Sequence, residues 1–412
     1  MFNVTEALTK KWAPIMESAD APAITDAYRR DVTISLLEAQ SQDNKTTFTE
    51  DSNTVASGNV TNWDPILIAL VRRAMPNNIG FDIAGVQPMT SPVQQIFAMR
   101  SQKFDTVDDV STKSEVFMDK PNTAFSGKYA TTAAEALSGS HSADGSPPVS
   151  NGGFKKMGFT IDKATATAKS RALRADYTQE LAQDLKAVHG LDAESELAGI
   201  LSTEILSEMN QEVIDTVNVK AFVGAQDTTV AGTFDLLADA DGRWAVERFK
   251  SLQFQIEMEA NAIGIATRRG RGNWIVCSAN VASALSAAGV LNTPAPLSSG
   301  LNVETNGSTF AGNLGTMKVY IDPYAASDYV TVGYKGANPY DAGLFYCPYV
   351  PLTMMRAVGE NDFQPRIGFK TRYAMIANPF VTTEAGVTDE IGNDGENPYF
   401  RTFQVTSINQ GV

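Results

Sequence analysis

The feature of this chain that most constrains its fold is a long amphipathic helix predicted between Asp192 and Val217. Apolar residues recur there at steps of three and four, which is the spacing of a helix with one buried side. At about 1.5 Å per residue the helix is a rod close to 40 Å long, longer than an average globular helix. The residues expected on its buried face are Leu197, Ile200, Leu201, Ile205, Met209, Val213 and Val217.

A second constraint is the segment 105–153, which contains few residues that could form a core. Its run TTAAEALSGSHSADGSPPVSNGG is almost entirely small and polar. The next segment alternates Phe159, Ile161 and Ala164 with polar positions, which predicts a half-buried strand. A loop this long is uncommon in a compact monomer. We therefore predict an extended loop, with its tip near Ser138–Ser150, that reaches another molecule.

The rest of the chain suggests several substructures. With 412 residues, the chain is too long for one ordinary core. After Gly242 the pattern predicts a helix, a buried strand, another helix and several strands, which indicates a mixed α/β or α+β domain. The first 52 residues carry a few helical apolar side chains, Leu8, Trp12 and Ile15, too few for a separate core. We predict a boundary near residue 50.

Charge excludes one class of function and suggests a contact. The chain has 33 basic and 47 acidic residues, a formal charge of −14, which argues against nucleic acid as its main ligand. Residues 178–217 carry nine acids and one base, whereas residues 153–174 carry six bases and one acid. These bands either neutralise each other within one fold or join one subunit to the next. The candidate inter-subunit contacts are Lys155, Lys156, Lys163, Glu204, Glu208 and Glu212.

Residues with catalytic or metal-binding chemistry are scarce. The two cysteines, Cys277 and Cys347, cannot make a disulfide framework or a four-thiolate zinc site, and two histidines argue against a three-His zinc site. Asp239 to Gly242 resembles part of a calcium loop but lacks the closing glutamate, so we predict a turn. We expect no enzyme activity, catalytic residue, cofactor or metal. No run of about eighteen apolar residues indicates a membrane span, and no secretory leader pattern is present.

Long stretches of the sequence resemble the major capsid protein of T-even-like tailed bacteriophages of the myovirus type. The stretches follow the family's order between about residues 67 and 380. They are ALVRRAMPNNIGFDIAGVQPMTSPVQQIFAMRS, KMGFTIDKATATAKSRALRADYTQELAQDLKAVHGLDAESELAGILSTEI, RGNWIVCSANV, VYIDPYA, DYVTVGYKG, DAGLFYCPYV and FQPRIGFKTRYAMIANPF. Runs of this length are far more specific than a short motif.

The resemblance implies an α+β fold of the HK97 capsid type, with a division of the chain into named parts. Those parts are an N-terminal arm or propeptide-like segment (1–52), the N-arm and start of the peripheral domain (53–104), an extended E-loop over a neighbouring subunit (105–160), the peripheral domain with its spine helix at about 192–217 (161–242), the axial domain (243–375) and a C-terminal return to the peripheral domain (376–412).

Two departures from the family pattern concern the E-loop and the N-terminus. T-even relatives carry a folded insertion in the E-loop, and this segment is too short to hold one. Their N-terminal propeptide is cut after a glutamate that has an apolar residue two positions earlier. Phe48-Thr49-Glu50 fits that pattern, and Leu36-Leu37-Glu38 fits it less well. The N-terminal segment is therefore either cleaved after Glu50 or kept as an arm.

The function implied is that of a major capsid (head) protein. The expectation is a subunit that self-assembles into hexameric capsomers of an icosahedral or prolate phage head around double-stranded DNA, which is enclosed but not specifically bound. Expected partners are copies of the chain and vertex, portal, scaffold and decoration proteins, with no membrane. Its expected location is the virion, after assembly in the bacterial host cytoplasm. Alternatives are a non-viral encapsulating shell protein of the same fold and a binding module that does not assemble.

Overall fold

The computed structural model describes residues 6–16, 24, 26–47, 78–104, 113–116, 156–190, 192–240, 242, 244–292, 309–359, 364–378 and 393–408. The described helices are α1 (Glu6–Met16), α2 (Ala27–Thr47), α3 (Gly80–Ile83), α4 (Gln179–Val188), α5 (Ala193–Lys220), α6 (Ala245–Thr267) and α7 (Ala279–Ala287). The described strands are β1 (Gly85–Val86), β2 (Val93–Phe104), β3 (Lys113–Glu115), β4 (Lys156–Thr167), β5 (Lys169–Asp176), β6 (Ala221–Val223), β7 (Thr233–Asp235), β8 (Trp274–Ser278), β9 (Leu291–Asn292), β10 (Thr309–Leu314), β11 (Met317–Asp322), β12 (Tyr329–Gly333), β13 (Leu344–Val358), β14 (Pro365–Ala377) and β15 (Asn397–Thr406).

Helix α5 is the long helix that the apolar spacing predicts, and it runs for 28 residues. Glu194 and Glu196 in its first turn and Lys220 in its last turn complement the helix dipole. Ile200, predicted on the buried face, is instead 64% exposed. It lies about 100° around the helix from Leu201, outside the buried arc. The other predicted face residues are buried, except Leu197, which is partly buried.

The sheet associated with α5 has four strands in the order β1-β13-β14-β5. β13 and β14 form a long antiparallel hairpin, to which β5 adds antiparallel and β1 adds parallel. α5 contacts β5 and β14 of this sheet and also β15, which belongs to the other sheet, while α2 contacts β13. The first hydrophobic core lies between these helices and this sheet, where it includes Ile205, Tyr346 and Phe369. It continues into the other sheet through residues such as Trp274 and Phe400.

A second, eight-stranded sheet has the order β6-β15-β12-β8-β11-β10-β9, with β7 pairing β15. Helix α6 contacts β12 and β15, and α7 contacts β8, β9 and β11. Leu252, Ile256 and Ile263 of α6 are fully buried in the second core. Trp244, at the start of this helix, is 72% exposed. The sheets contain both parallel and antiparallel pairs, so the architecture is α+β.

The two sheets divide the chain differently from the predicted segments. The resemblance implies one axial domain over 243–375, but β13 and β14 pair with β5 and β1 in the sheet that α5 covers. It also implies that 376–412 returns to the peripheral domain, but β15 pairs with β12, β6 and β7 in the other sheet. The reason is strand pairing between distant segments, which local pattern does not specify.

The N-terminal helices pack on the body of the subunit. Trp12 of α1 and Ile34, Leu36 and Leu37 of α2 have no exposed side-chain surface. They belong to the same core as Tyr346 and its neighbours. The apolar residues of this segment, too few for a core of their own, therefore share the core of the α5-associated sheet.

Candidate assembly surface

An antiparallel ribbon of three strands, in the order β3-β2-β4, projects from the α5-associated body. β2 and β4 pair along their whole length, from Val93 opposite Thr167 at the base to Phe104 opposite Lys156 at the far end. β3 pairs with the last residues of β2. At about 3.4 Å per residue the ribbon is roughly 40 Å long. We call β2, β3 and β4 the ribbon; its base lies twelve positions before the predicted start of the E-loop at 105.

One side of the ribbon carries large exposed apolar side chains. Met99 lies directly opposite Ile161, and Phe97 lies opposite Lys163. Residues directly opposite in an antiparallel pair share a side, and the side alternates along each strand. This ribbon face comprises Phe97, Met99, Met157, Phe159 and Ile161, which are 60%, 64%, 55%, 66% and 64% exposed.

The other side of the ribbon is covered at its base. Ile96 and Ala166 are 5% and 1% exposed and pack with Phe345, Cys347 and other residues of the third core. The segment that includes Phe159 and Ile161 is therefore a strand, as predicted, but the opposite side of the strand is the buried one. Phe159 and Ile161, predicted to face a core, point away from it, because the small residues Ala164 and Ala166 are the ones that fit against the body.

The predicted basic residues are distributed unevenly over the described region. Lys163 is exposed and shares the ribbon face. Lys156 ends β4 opposite Phe104, and its side chain lies outside the described residues. Lys155 also lies outside them, as does Glu50.

Two of the three predicted acids are engaged within the chain. Arg171 of β5 donates from Nη1 to Glu208 and from Nη2 to Glu212, each at 2.6 Å. Tyr373 of β14 also donates to Glu212. Partial burial lowers the pKa of Arg171, but Tyr373 and the two carboxylates outweigh it and raise that pKa above its ordinary value. Neutralisation within one fold thus applies to Glu208 and Glu212.

Glu204 lies one turn away from this contact and remains exposed. It makes no ion pair with any residue in the described ranges. An inter-subunit role for Glu204 and Lys163, and a further one for Glu208 and Glu212, stays a prediction.

Helix α4 adds exposed apolar surface next to this acidic helix. It is amphipathic, with Leu181, Leu185 and Val188 on one side, yet none of its residues is buried. Leu181 and Val188 are 51% and 74% exposed. Thr178 caps the helix by accepting a hydrogen bond from the Leu181 backbone at 3.3 Å. We call α4 together with Ile200 and Glu204 of α5 the helical surface.

Sequence reasoning did not identify the ribbon face or α4. The available signal was the repeat of large apolar residues at alternate positions, Phe97 and Met99 on one strand and Met157, Phe159 and Ile161 on the other. That repeat specifies a side of the strand but does not specify whether this chain or another molecule covers it.

The two cysteines are buried and are not suited to nucleophilic chemistry. Burial raises the pKa of the Cys277 thiol to about 12, with the Asp322 carboxylate adding to the shift. Burial also raises the pKa of Cys347 to about 12. Neither thiolate forms near neutral pH, so both behave as packed apolar residues. Asp239 accepts hydrogen bonds from Thr229 and from the backbone of Asp235, as a turn residue does.

Two further searches cover the described residues only. None of their His, Cys, Asp and Glu side chains form a group of three or more that could hold a metal ion. No described helix combines the length and apolar character required to cross a membrane.

Comparisons with known proteins give the family. The model of the family "Major capsid protein Gp23" matches residues 60–151 and 129–405. A major capsid protein of Salmonella phage ViI is 40% identical, over 98% of this chain and 99% of that protein. The major capsid protein of Enterobacteria phage T4 is 35% identical, over 97% of this chain and 98% of that protein. The chain belongs to the Gp23 major capsid protein family.

Solved capsid structures are also similar. "Mycobacterium phage Bobi" matches with a TM-score of 0.42 and 8% identity, over 88% of this chain and 98% of that chain. "The capsid of Myoviridae Phage XM1" matches with a TM-score of 0.42 and 9% identity, over 86% of this chain and 96% of that chain. The family assignment rests on the sequence comparisons alone.

Family membership confirms several predictions. The protein is a major capsid protein of tailed phages, a structural component of the virion rather than an enzyme. The fold class, α+β of the HK97 capsid type, agrees with this family and with the architecture described above. The non-viral shell protein is not favoured, because the matched family and its relatives are phage major capsid proteins.

Proposed function

We propose that the chain forms hexameric capsomers of an icosahedral or prolate head that encloses double-stranded DNA. The observation that carries this proposal is the ribbon face, five large apolar side chains that are each more than half exposed. A contiguous apolar patch on a soluble protein marks a contact with another molecule. The occupant is a second copy of the chain, since a capsid is built from many copies.

The receiving surface on that copy is the helical surface. It presents Leu181, Val188 and Ile200, which are exposed in one subunit, beside acidic residues such as Glu204. The ribbon face presents Lys163 beside its apolar residues. Apolar burial then supplies attraction, and opposite charges fix the register of one subunit on the next.

The test compares two substitutions on the same side of β4. Ile161→Asp places a charge in the apolar patch, whereas Thr165→Asp places it four residues nearer the base, at another exposed position on the same side. We expect the first variant to form no shells in electron micrographs and the second to form them normally. Normal shells from Ile161→Asp would refute the proposed contact.

A charge exchange tests the register. Lys163→Glu and Glu204→Lys should each reduce shell yield, and the double variant should recover part of it if the two residues face each other. Raised salt should weaken wild-type assembly, because exposed pairs are screened over about 10 Å at 0.1 M. No recovery in the double variant would remove this pair from the interface while leaving the apolar contact intact.

The two sheets support a proposed division into the named domains. We assign the peripheral domain to the four-stranded sheet with α2 and α5, and the axial domain to the eight-stranded sheet with α6 and α7. The ribbon is the base of the E-loop. The two family matches overlap at 129–151, within the predicted E-loop segment, which supports a shortened loop relative to the family.

Residues 1–52 are either cleaved after Glu50 or kept as an arm. Of the two candidate sites, Glu38 lies within α2, where Leu36 and Leu37 are fully buried, so a protease that needs extended chain cannot bind there. This supports Glu50 as the only usable site of the two. Mass spectrometry of mature virions decides the matter: an N-terminus at Asp51 establishes cleavage, and one at Met1 or Phe2 excludes it.

Partners beyond the chain itself are proposed from the family. A vertex protein is supported by a relative, the "Capsid vertex protein" of Enterobacteria phage T4, which is 29% identical over 55% of this chain. Portal, scaffold and decoration proteins, and assembly in the host cytoplasm, follow from the resemblance. The formal charge of −14 supports DNA that is enclosed without being tightly bound.

A further inference from the structure

The N-terminal helices α1 and α2 form a unit that covers the body of the subunit. α2 contributes Val32, Ile34, Leu36 and Leu37, which are at most 4% exposed, and α1 contributes the fully buried Trp12. Trp12 also donates from its ring nitrogen to Glu38 of α2 at 3.0 Å, which holds the two helices together. The two helices therefore bury their apolar side chains in the subunit core as one connected unit.

Polar contacts fix where this unit sits. Arg29 donates from Nη2 to Asp82 at 2.6 Å, and its guanidinium lies 5.6 Å from the centre of the Phe81 ring. The Tyr28 hydroxyl donates to the backbone carbonyl of Val86. These contacts join α2 to α3 and β1, and α2 also contacts β13. An apolar groove with directional contacts at one end specifies a single docked position.

The chain between the unit and the body is long. Thirty residues, 48–77, separate the end of α2 from Asn78. Such a length can span up to about 100 Å. The contacts named above join the unit directly to α3, β1 and β13, so these surfaces by themselves can specify the docked position.

We propose that α1 and α2 are a specific, separable ligand of their own subunit, which stays bound when the connecting segment is cut. Proteolysis of that segment by itself does not release the helices; a second event, such as a change in the body or further proteolysis, is required. The proposal concerns the groove and its occupant and does not depend on where, or whether, the phage cleaves the chain.

The experiment uses the full-length subunit with a recognition sequence for a site-specific protease inserted between Gly58 and Asn59. After cleavage, gel filtration followed by mass spectrometry should find fragment 1–58 eluting with the body at the volume of the intact subunit. Separate elution of the fragment at micromolar concentration would overturn the proposal. Precipitation of the body without the fragment would also overturn it.

Variants distinguish specific docking from non-specific adhesion. Ile34→Ala and Leu36→Ala each shorten a fully buried side chain, and each should weaken retention of the fragment by about 100-fold. Asp31→Ala changes an exposed position of the same helix and should leave retention unchanged. Equal retention in all three variants would show that the groove does not recognise these side chains, and the proposal would fail.

Intact variants provide the folding control. Before cleavage the covalent connection keeps the helices at high effective concentration, so the uncut Ile34→Ala and Leu36→Ala subunits should still show native circular dichroism. If an uncut variant is unfolded, Arg29→Ala replaces it. That variant removes the contact with Asp82 without opening a cavity in the core.

Discussion

Helix α2 and the ribbon carry apolar side chains of similar size but expose them very differently. Leu36 and Leu37 of α2 are fully buried, whereas Phe97 and Phe159 of the ribbon are 60% and 66% exposed. Both regions lie beside the α5-associated sheet. The difference is that α2 has its partner surface within the same chain, whereas the ribbon face has none among the residues that the structure describes. Under the proposed function, exposure of large apolar residues marks the surfaces that a second subunit would cover.

The largest expected effect is the loss of subunit stability when a buried side chain of α2 is shortened. Leu36→Ala should lower the free energy of unfolding by about 2–5 kcal/mol, because it leaves a cavity in a core that has no exposed surface at that position. Urea unfolding of unassembled subunits measures it. A loss of less than about 1 kcal/mol would show that α2 contributes little to the core.

A smaller effect concerns the charge beneath α2. Lys335 donates to the carbonyl of Phe81, and burial lowers its pKa from 10.5 to about 8, with Arg29 adding to the decrease and Asp82 opposing it. Below pH 8 the folded state holds a buried charge that the unfolded state carries at no cost. The unfolded state binds more protons between about pH 8 and 10.5, so this group makes stability increase with pH there.

Other groups also change the stability in this pH range, so the contribution of Lys335 has to be measured as a difference between two proteins. The pKa values of Cys277 and Cys347 are raised to about 12, so these thiols make stability fall above about pH 9. The Lys335→Met variant isolates the lysine. Relative to that variant, the wild type should gain about 1–2 kcal/mol between pH 7.5 and 9.5. Parallel pH profiles for the two proteins would contradict the buried charge.

The Arg171 contact should have a weaker effect. Its partners Glu208 and Glu212 are 43% and 38% exposed, so solvent screens the ion pairs. Arg171→Ala should cost at most about 1 kcal/mol of unfolding free energy, and the cost should shrink in 0.5 M salt. A cost that salt does not change would mean that Arg171 acts mainly by packing rather than by charge.

The smallest effect on the stability of the subunit is expected for a substitution on the exposed ribbon face. Phe159→Ser should change the unfolding free energy by no more than about 0.5 kcal/mol, while shell assembly falls sharply. Thermal unfolding of the subunit and electron microscopy of assembly mixtures measure the two effects separately. A large loss of subunit stability would place Phe159 in an internal contact and remove the contrast with Leu36.

The periodic spacing of apolar residues predicted individual helices and strands, because that spacing reflects the geometry of a single element. The spacing of apolar residues located α5 to within three residues at its C-terminal end and predicted β4 as a strand. The scarcity of His and Cys argued against zinc sites and against acid–base chemistry that needs imidazole groups. The charge bands were correctly located, but their pattern could not decide between an internal and an external partner, and Arg171 joins two acids within the chain.

Tertiary structure decided which surfaces meet. It placed β13 and β14 with α5, placed β15 in the other sheet, turned Phe159 and Ile161 away from the body, and seated α2 on β13. Each of these outcomes depends on pairing between segments far apart in the chain. The alternation of a strand gives two equivalent sides, and the apolar stripe of a helix fits many surfaces. The sequence by itself therefore determined which side chains need a partner. Only the folded chain determined which of those side chains find their partner inside the subunit.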